Sequence, residues 1–286
     1  MSNVNHDVPA LNLEPFDTIV DLVGNPHGAD LVLFLNGNQF MVMPELLSGF
    51  RRIHPEFSRI YYETLPPGLL AQQILAKGHI RIGSLDLTVS PDVYTAGRAE
   101  MQQLADYIDT AAPYSQNQLA LLVPRDNPRH LTGFADLSRF DVRVAMPNPA
   151  TEGIARLAME AIRRVSGDAA VQSVFEDKVK NGSCRLTTVH HRETVPWLLS
   201  GDQDVGVVWR SEALWAERQG QPVESLPLND WKENPTGQYW AARLARAPHP
   251  VAGQAYLNYL HSPDAEAIYE RYGFTAVQTS GTFGGF

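Results

Sequence analysis

An α/β protein of two lobes is what this sequence predicts, on three observations. Short apolar runs alternate with amphipathic stretches, and each run ends in a polar or proline-marked loop. The alternation breaks at Pro124, and a second series of the same kind begins beyond it. The chain has 286 residues, enough for one large domain or two of about 100–150 residues each.

Residues 1–27 are polar, with Pro9, Pro15 and Pro26, and read as a loosely packed arm. Leu31-Val-Leu-Phe-Leu35 is a continuous apolar run, the pattern of a strand buried on both faces. Asn36-Gly-Asn-Gln39 breaks it. Phe40 to Arg52 reads as a helix, with Met43, Leu46, Leu47 and Phe50 on one stripe. Ile60–Tyr62 reads as a second strand, followed by a loop from Glu63 to Gly68 and a helix over about 69–76. Leu85–Val89 reads as a third strand, running into Ser90-Pro-Asp92. Strand–loop–helix repetition argues for right-handed crossovers and a mostly parallel sheet.

After a helix near 99–108, Gln118–Val123 is an apolar strand ended by Pro124. In the second series Val142–Ala145, Cys184–Val189 and Asp204–Trp209 read as strands, and 151–165 as a helix. A returning strand covers 238–242, and helices near 250–260 and 263–272 close the chain. There is no internal repeat and no low-complexity linker.

Lys and Arg total 23 against 32 Asp and Glu, a formal charge of −9. That argues against a nucleic-acid partner, since phosphate binding needs clustered cations. The single cysteine, Cys184, excludes an internal disulfide and a Cys-rich zinc site. It starts a strand and reads as a buried structural thiol. No run approaches the roughly 18 apolar residues that cross a bilayer. The N-terminus has no basic start followed by an apolar run, so both cytoplasm and periplasm stay open.

Ligands of open α/β sheets bind beyond the carboxyl ends of the strands. The loops there are 36–39, 63–68, 90–94, 148–153, 190–193 and 209–212. Helix starts offer unpaired N–H groups and receive anions without Lys or Arg, which reconciles an acidic chain with an anionic ligand. Asn36, Asn38 and Gln39 are ligand amides or a polar turn. Glu63 and Thr64 form a ligand wall or a helix-entry cap, and Ser90 in the 90–94 loop is a further ligand-contact candidate. Thr151 and Glu152 open a helix as ligand contacts or as caps. His190, His191 and Arg192 are the densest cluster. They read as contacts to an oxyanion, as metal ligands through one or both imidazoles, or as capping and surface charge. Trp209 ends the last apolar strand and is core or ligand wall.

No nucleophile elbow, Walker loop, zinc-protease helix or dinucleotide fingerprint is present. The residues therefore suggest binding without catalysis, and no cofactor. Two alternatives remain. One is a metal-ion or small-carboxylate receptor using His190 and His191 with Glu63 or Asp92. The other is a ligand sensor or an enzyme with Glu63 or His190 as general base.

Several stretches resemble bacterial solute-binding proteins. They are Ile60–Ile74, Leu121-Leu-Val-Pro-Arg-Asp-Asn-Pro128, Val144-Ala-Met-Pro-Asn-Pro-Ala-Thr-Glu-Gly153, Ser200–Trp209 and Pro250–Phe274. The resemblance leans towards the molybdate- and tungstate-binding receptors of ABC transporters. It implies a type 2 periplasmic-binding-protein fold, with two crossing hinge strands and a ligand held in the interlobe cleft. Lobe 1 is then expected at 28–120 and 210–286, and lobe 2 at 121–209. It further implies capture of a small oxyanion by lobe closure, an ABC permease as partner, a periplasmic location and a monomer. Family oxyanion sites use small hydroxyls and amides in the first loop, then helix-start N–H groups and an aromatic hydroxyl in the other lobe. Here the first loop is Asn36-Gly37-Asn38, the aromatic is Trp209 without a hydroxyl, and His190 and His191 are additional.

Overall fold

In the computed structural model, residues 8–11, 20–150, 152–188, 193–227 and 231–277 are described. They fall into two units, residues 1–116 with 238–286 and residues 117–237.

The sheet of the first unit grows from β3 (Leu31–Asn36), every residue of which is buried. Its neighbours β4 (Ile60–Leu65) and β7 (Val93–Gly97) are both parallel to it. A strand covered on both sides by strands and on both faces by helices has no polar face to keep, which is why its sequence is continuously apolar. β2 (Leu22–Val23) pairs antiparallel with β4, and β13 (Thr236–Leu244) antiparallel with β7. The first part of β8 (Ile108–Pro124) flanks β13. A side sheet is built from β1 (Ala10–Leu11), β5 (His79–Ile82) and β6 (Leu85–Thr88).

Helix α1 (Met43–Ile53) buries Met43, Leu46, Leu47 and Phe50, the expected stripe. Helices α2 (Pro67–Leu75) and α3 (Arg98–Gln103) follow β4 and β7.

In the second unit, β9 (Val144–Met146) lies between parallel β10 (Cys184–Leu186) and β11 (Val205–Trp209). The rest of β8 runs antiparallel to β11, and β12 (Val223–Ser225) pairs with β8. Helix α4 (Ile154–Ser166) buries Ile154, Ala155, Ala158, Ala161 and Ile162, one stripe at helical spacing. Short helices α5 (Asp168–Gln172) and α6 (Lys178–Asn181) flank a π-turn at 173–177. Helix α7 (Thr194–Leu199) precedes β11 and α8 (Arg210–Arg218) follows it. Back in the first unit, α9 (Pro250–Leu260) and α10 (Pro263–Arg271) close the described chain, the latter capped by Ser262, whose Oγ accepts from Ala265 N at 3.2 Å.

Four sequence expectations change. Residues 1–27 are not wholly an arm, because Ala10–Leu11 and Leu22–Val23 pair with β5 and β4. The third strand of the main sheet is β7, not 85–89, which lies in the side hairpin with β5. The chain passes between units inside β8 at 116–117 rather than at 120. It returns inside β13 at 237–238 rather than at 210. The reason is local: α8 packs on β11 and β12 pairs with β8, so residues 210–237 complete the second sheet.

Asp204 ties the amino ends of β9 and β11 together. Its carboxyl accepts from Arg143 N at 2.8 Å and Arg143 Nη2 at 2.9 Å, and it pairs with Arg129 at 3.2 Å. Burial pushes its pKa up, but the Arg143 and Arg129 bonds outweigh burial and leave it below the ordinary value. A depressed carboxyl stabilises the fold above its unfolded pKa and loses that contribution as pH falls through the folded one. Asp204→Asn is therefore expected to lose stability at neutral pH and to show a smaller further loss on acidification. Denaturant midpoints from about pH 7 down to about pH 3 read this.

Candidate functional site

The carboxyl end of β3 meets a 3-10 turn at Gly37–Gln39, and here the first-unit candidates gather. Asn36 donates to Thr95 Oγ1 on β7 twice, from its backbone N at 2.9 Å and from Nδ2 at 3.1 Å. Asn38 Nδ2 donates to the Tyr239 hydroxyl on β13 at 2.5 Å. Gln39 Oε1 accepts from Tyr114 OH on β8 at 2.8 Å and from Tyr269 OH on α10 at 3.2 Å. The rings of Tyr114 and Tyr269 meet edge-on at 5.5 Å, and Phe274 packs edge-on against Tyr269 at 5.3 Å.

Asn36, Asn38, Gln39, Thr95 and the three tyrosines are all buried. Tyr114 is the hub. Burial pushes its pKa up to about 12, against hydrogen bonds with Gln39, Thr95, Tyr269 and Asn36 that pull the other way. Its hydroxyl is therefore a neutral donor at physiological pH. Gln39 Nε2 is buried and has no hydrogen-bond partner among the described residues. The cluster thus combines neutral amides and hydroxyls with one donor left over, a composition able to bond an oxyanion without a counter-charge.

Sequence reasoning misses Thr95, Tyr114, Tyr239 and Tyr269. Only Tyr269 carries a visible signal, as one of the tyrosines spaced along the closing helices, which is equally a core pattern; Thr95, Tyr114 and Tyr239 sit on strands without one.

The other first-unit candidates lie elsewhere. Strand β4 runs on to Leu65, so Glu63 and Thr64 are strand residues rather than loop residues. Thr64 Oγ1 donates to Asp21 at 3.0 Å, and Glu63 accepts from Tyr61 OH at 2.9 Å and Gln73 Nε2 at 3.3 Å. Both are fully buried. Ser90 is exposed and precedes β7, at the opposite end of the strand from Asn36 and Thr95. Asp92 is fully buried and is engaged by Val32 N, His249 N and the His249 ring.

In the second unit the parallel pairing of β9 and β10 brings their carboxyl ends side by side, and Thr187 N continues the ladder to Met146 O at 3.0 Å. Glu152 Oε1 accepts from Asn148 N at 3.1 Å and from Thr187 Oγ1. Glu193 accepts from Thr188 N and from Thr188 Oγ1, the latter at 3.0 Å. Thr151, His190, His191 and Arg192 lie outside the described residues. Trp209 is 8% exposed, and a Cβ on Gly237 would come within 2.6 Å of its ring. Among the described residues no group of three His, Cys, Asp or Glu is placed to hold a metal ion. Cys184 is buried, and burial pushes its thiol up to about 12.

Two α/β units exchanged through β8 and β13 define the two-lobe fold of periplasmic binding proteins. The chain belongs to the bacterial extracellular solute-binding protein family, whose sequence profile matches residues 31–275. The sulfate-binding protein of Salmonella typhimurium is 27% identical over 180 residues, 60% of this chain and 54% of that protein. The chain's match thus spans about half the length of that relative.

Among solved structures, the sulfate-binding protein SubI from Mycobacterium tuberculosis superposes with a TM-score of 0.68 at 16% identity. That superposition covers 94% of this chain and 88% of SubI. The substrate binding domain of a putative molybdenum ABC transporter from Clostridium difficile gives 0.63 at 19% identity, covering 87% and 99%. At these identities the structural likeness establishes the fold. No described helix is long and apolar enough to cross a membrane.

Proposed function

We propose that this protein is the solute receptor of an ABC-type importer, working outside the cytoplasmic membrane, and that its solute is a small oxyanion of the sulfate or molybdate kind. The observation that carries this reading is the buried set of neutral donors at the end of β3, with the Gln39 amide still unused. Neutral donors in a dry site recognise an anion through directed hydrogen bonds, and a missing one costs discrimination as well as affinity. The names of the relatives, sulfate-binding proteins and a molybdenum transporter domain, point to the same ligand class.

A thermal-shift panel of sulfate, thiosulfate, molybdate, tungstate, small carboxylates and divalent metals tests it. A cognate oxyanion at about 100 times its dissociation constant is expected to stabilise the protein by roughly 2.7 kcal/mol. Asn38→Ala removes one donor and the bond it makes to the Tyr239 hydroxyl, so it is expected to weaken oxyanion binding by about tenfold or more. A response to metals or carboxylates alone would sink the oxyanion reading.

A further inference from the structure

Glu63 lies at the end of β4 but takes no part in the cluster around Gln39. Its carboxyl faces α2 beside the apolar cluster of Tyr61, Leu65, Leu70, Ala71 and Ile74. Glu63 Oε1 accepts from Tyr61 OH and from Gln73 Nε2. The same Gln73 nitrogen reaches Gly78 O at 3.3 Å. That leaves Glu63 Oε2 and Gln73 Oε1, both buried and both without a hydrogen-bond partner among the described residues.

If Glu63 were ionised, both orphans would be acceptors on two side chains already bonded to each other. Two unmet buried acceptors, one of them charged, form an expensive arrangement. A single proton on Oε2 resolves it. The carboxyl O–H would then be a donor for the Gln73 carbonyl, while the Gln73 N–H already donates to the other carboxyl oxygen. We propose that Glu63 is kept as a neutral acid clasped to the Gln73 amide by two hydrogen bonds, and that this clasp positions the β4–α2 connection at Pro66.

The topology gives the clasp that reach. Strand β4 ends at Leu65 and α2 begins at Pro67, so Glu63 and Gln73 stand on the two limbs of one connection. Proton loss turns an O–H···O bond into a carboxylate oxygen confronting a carbonyl oxygen, and the limbs part. Glu63 is therefore a positioning residue, acting on that connection through Gln73.

The ionisable groups on the elements around Glu63 do not change this. Tyr61 on its own strand donates to it. Asp21 ahead of β2 is engaged by Thr64. Tyr94 on β7 donates to Pro67 O, His79 on β5 bonds Thr88, and Arg81 pairs with Asp86. Arg98 on α3 lies over Trp240, Glu100 is on the same helix, and Lys77 follows α2. Burial pushes the Glu63 pKa up from 4.5 to about 7, against the pull of Tyr61 and Gln73. A raised carboxyl binds its proton more tightly in the folded state. The clasp's contribution is thus complete below the unfolded pKa and is lost as pH rises through about 7.

The test compares wild type with Glu63→Gln, whose amide has the shape and the donor–acceptor pattern of the neutral acid. Melting temperatures are measured between about pH 5 and pH 9, and sulfate is titrated at about pH 6 and pH 8. The wild type is expected to melt lower and bind sulfate more weakly at the higher pH. Glu63→Gln is expected to hold both quantities nearly level and to melt several degrees above wild type at about pH 8. Coincident pH profiles, or a variant less stable than wild type at high pH, would overturn the proposal.

The carboxyl carbon resonance of Glu63 in wild type gives a reading that needs no variant. Titration near neutrality supports the clasp, and titration in the ordinary glutamate range refutes it. The melting and resonance arms need no ligand. Failure of sulfate to bind at any pH would count against the sulfate reading, while those two arms still decide the clasp.

Discussion

Asp92→Ala is expected to lower the stability of the first unit by about 3–5 kcal/mol, among the largest single effects in the molecule. The Asp92 carboxyl is fully buried and does three jobs. Oδ2 accepts from Val32 N at 2.8 Å near the start of β3, and from His249 Nδ1 at 3.0 Å. Oδ1 accepts from His249 N, the residue that precedes α9. One side chain thus joins the central strand to the start of a helix 157 residues away in sequence.

Truncation strands two backbone N–H groups, each worth about 1–3 kcal/mol when left unpaired in a dry site. Asp92→Asn separates charge from geometry. Its amide nitrogen must face one of these donors, so it is expected to lose about 2 kcal/mol rather than nothing. Urea denaturation reads both variants. An Asp92→Ala protein within about 0.5 kcal/mol of wild type would refute the account.

How far the sequence reveals this fold depends on the range of the interactions involved. β3 is legible because its burial on both faces writes a continuous apolar run. So are α1 and α9, whose stripes or proline starts are local marks. β7 is not, because Ser90-Pro-Asp92 looks like a loop and Val-Tyr-Thr-Ala-Gly has no clear period. β6 is a true strand, yet its residues are mostly exposed and it pairs only with its hairpin neighbour, so its identity says nothing about the main sheet.

The candidate site is half visible. Asn36, Asn38 and Gln39 stand out as polar residues directly after an apolar strand. Their partners Tyr114, Tyr239 and Tyr269 lie 75, 201 and 230 residues further along the chain, where no pattern links a hydroxyl to its acceptor. Glu63 misleads for a related reason. A carboxylate next to a Pro-Pro-Gly turn looks solvent-facing, and only the strand's continuation to Leu65 turns it inward.

Lys178 is the counterpart of Asp92 in the second unit, and Lys178→Met is expected to destabilise that unit by about 2–3 kcal/mol. Sequence reasoning places a lysine outside, yet this one is 3% exposed. A π-turn holds one residue more than an α-turn, so it shifts the phase of the next helical turn, and Lys178 comes directly after one. Its Nζ donates to Leu137 O and to Val142 O, both at 2.7 Å. These carbonyls bracket the connection leading into β9. Burial lowers the lysine pKa, so the charge is carried at some expense.

Two effects therefore oppose each other in Lys178→Met. Removing a buried charge relieves desolvation, whereas two buried carbonyls lose the ammonium that donates to them. The second wins, because methionine fills the volume but bonds neither oxygen, and each carbonyl left unmet costs about 1–3 kcal/mol. Lys180→Met, two residues on and 72% exposed, is the control and is expected to stay within about 0.5 kcal/mol of wild type. Equal denaturation midpoints for the two variants would show that the carbonyls find water instead, and that the amine is a passenger in the core.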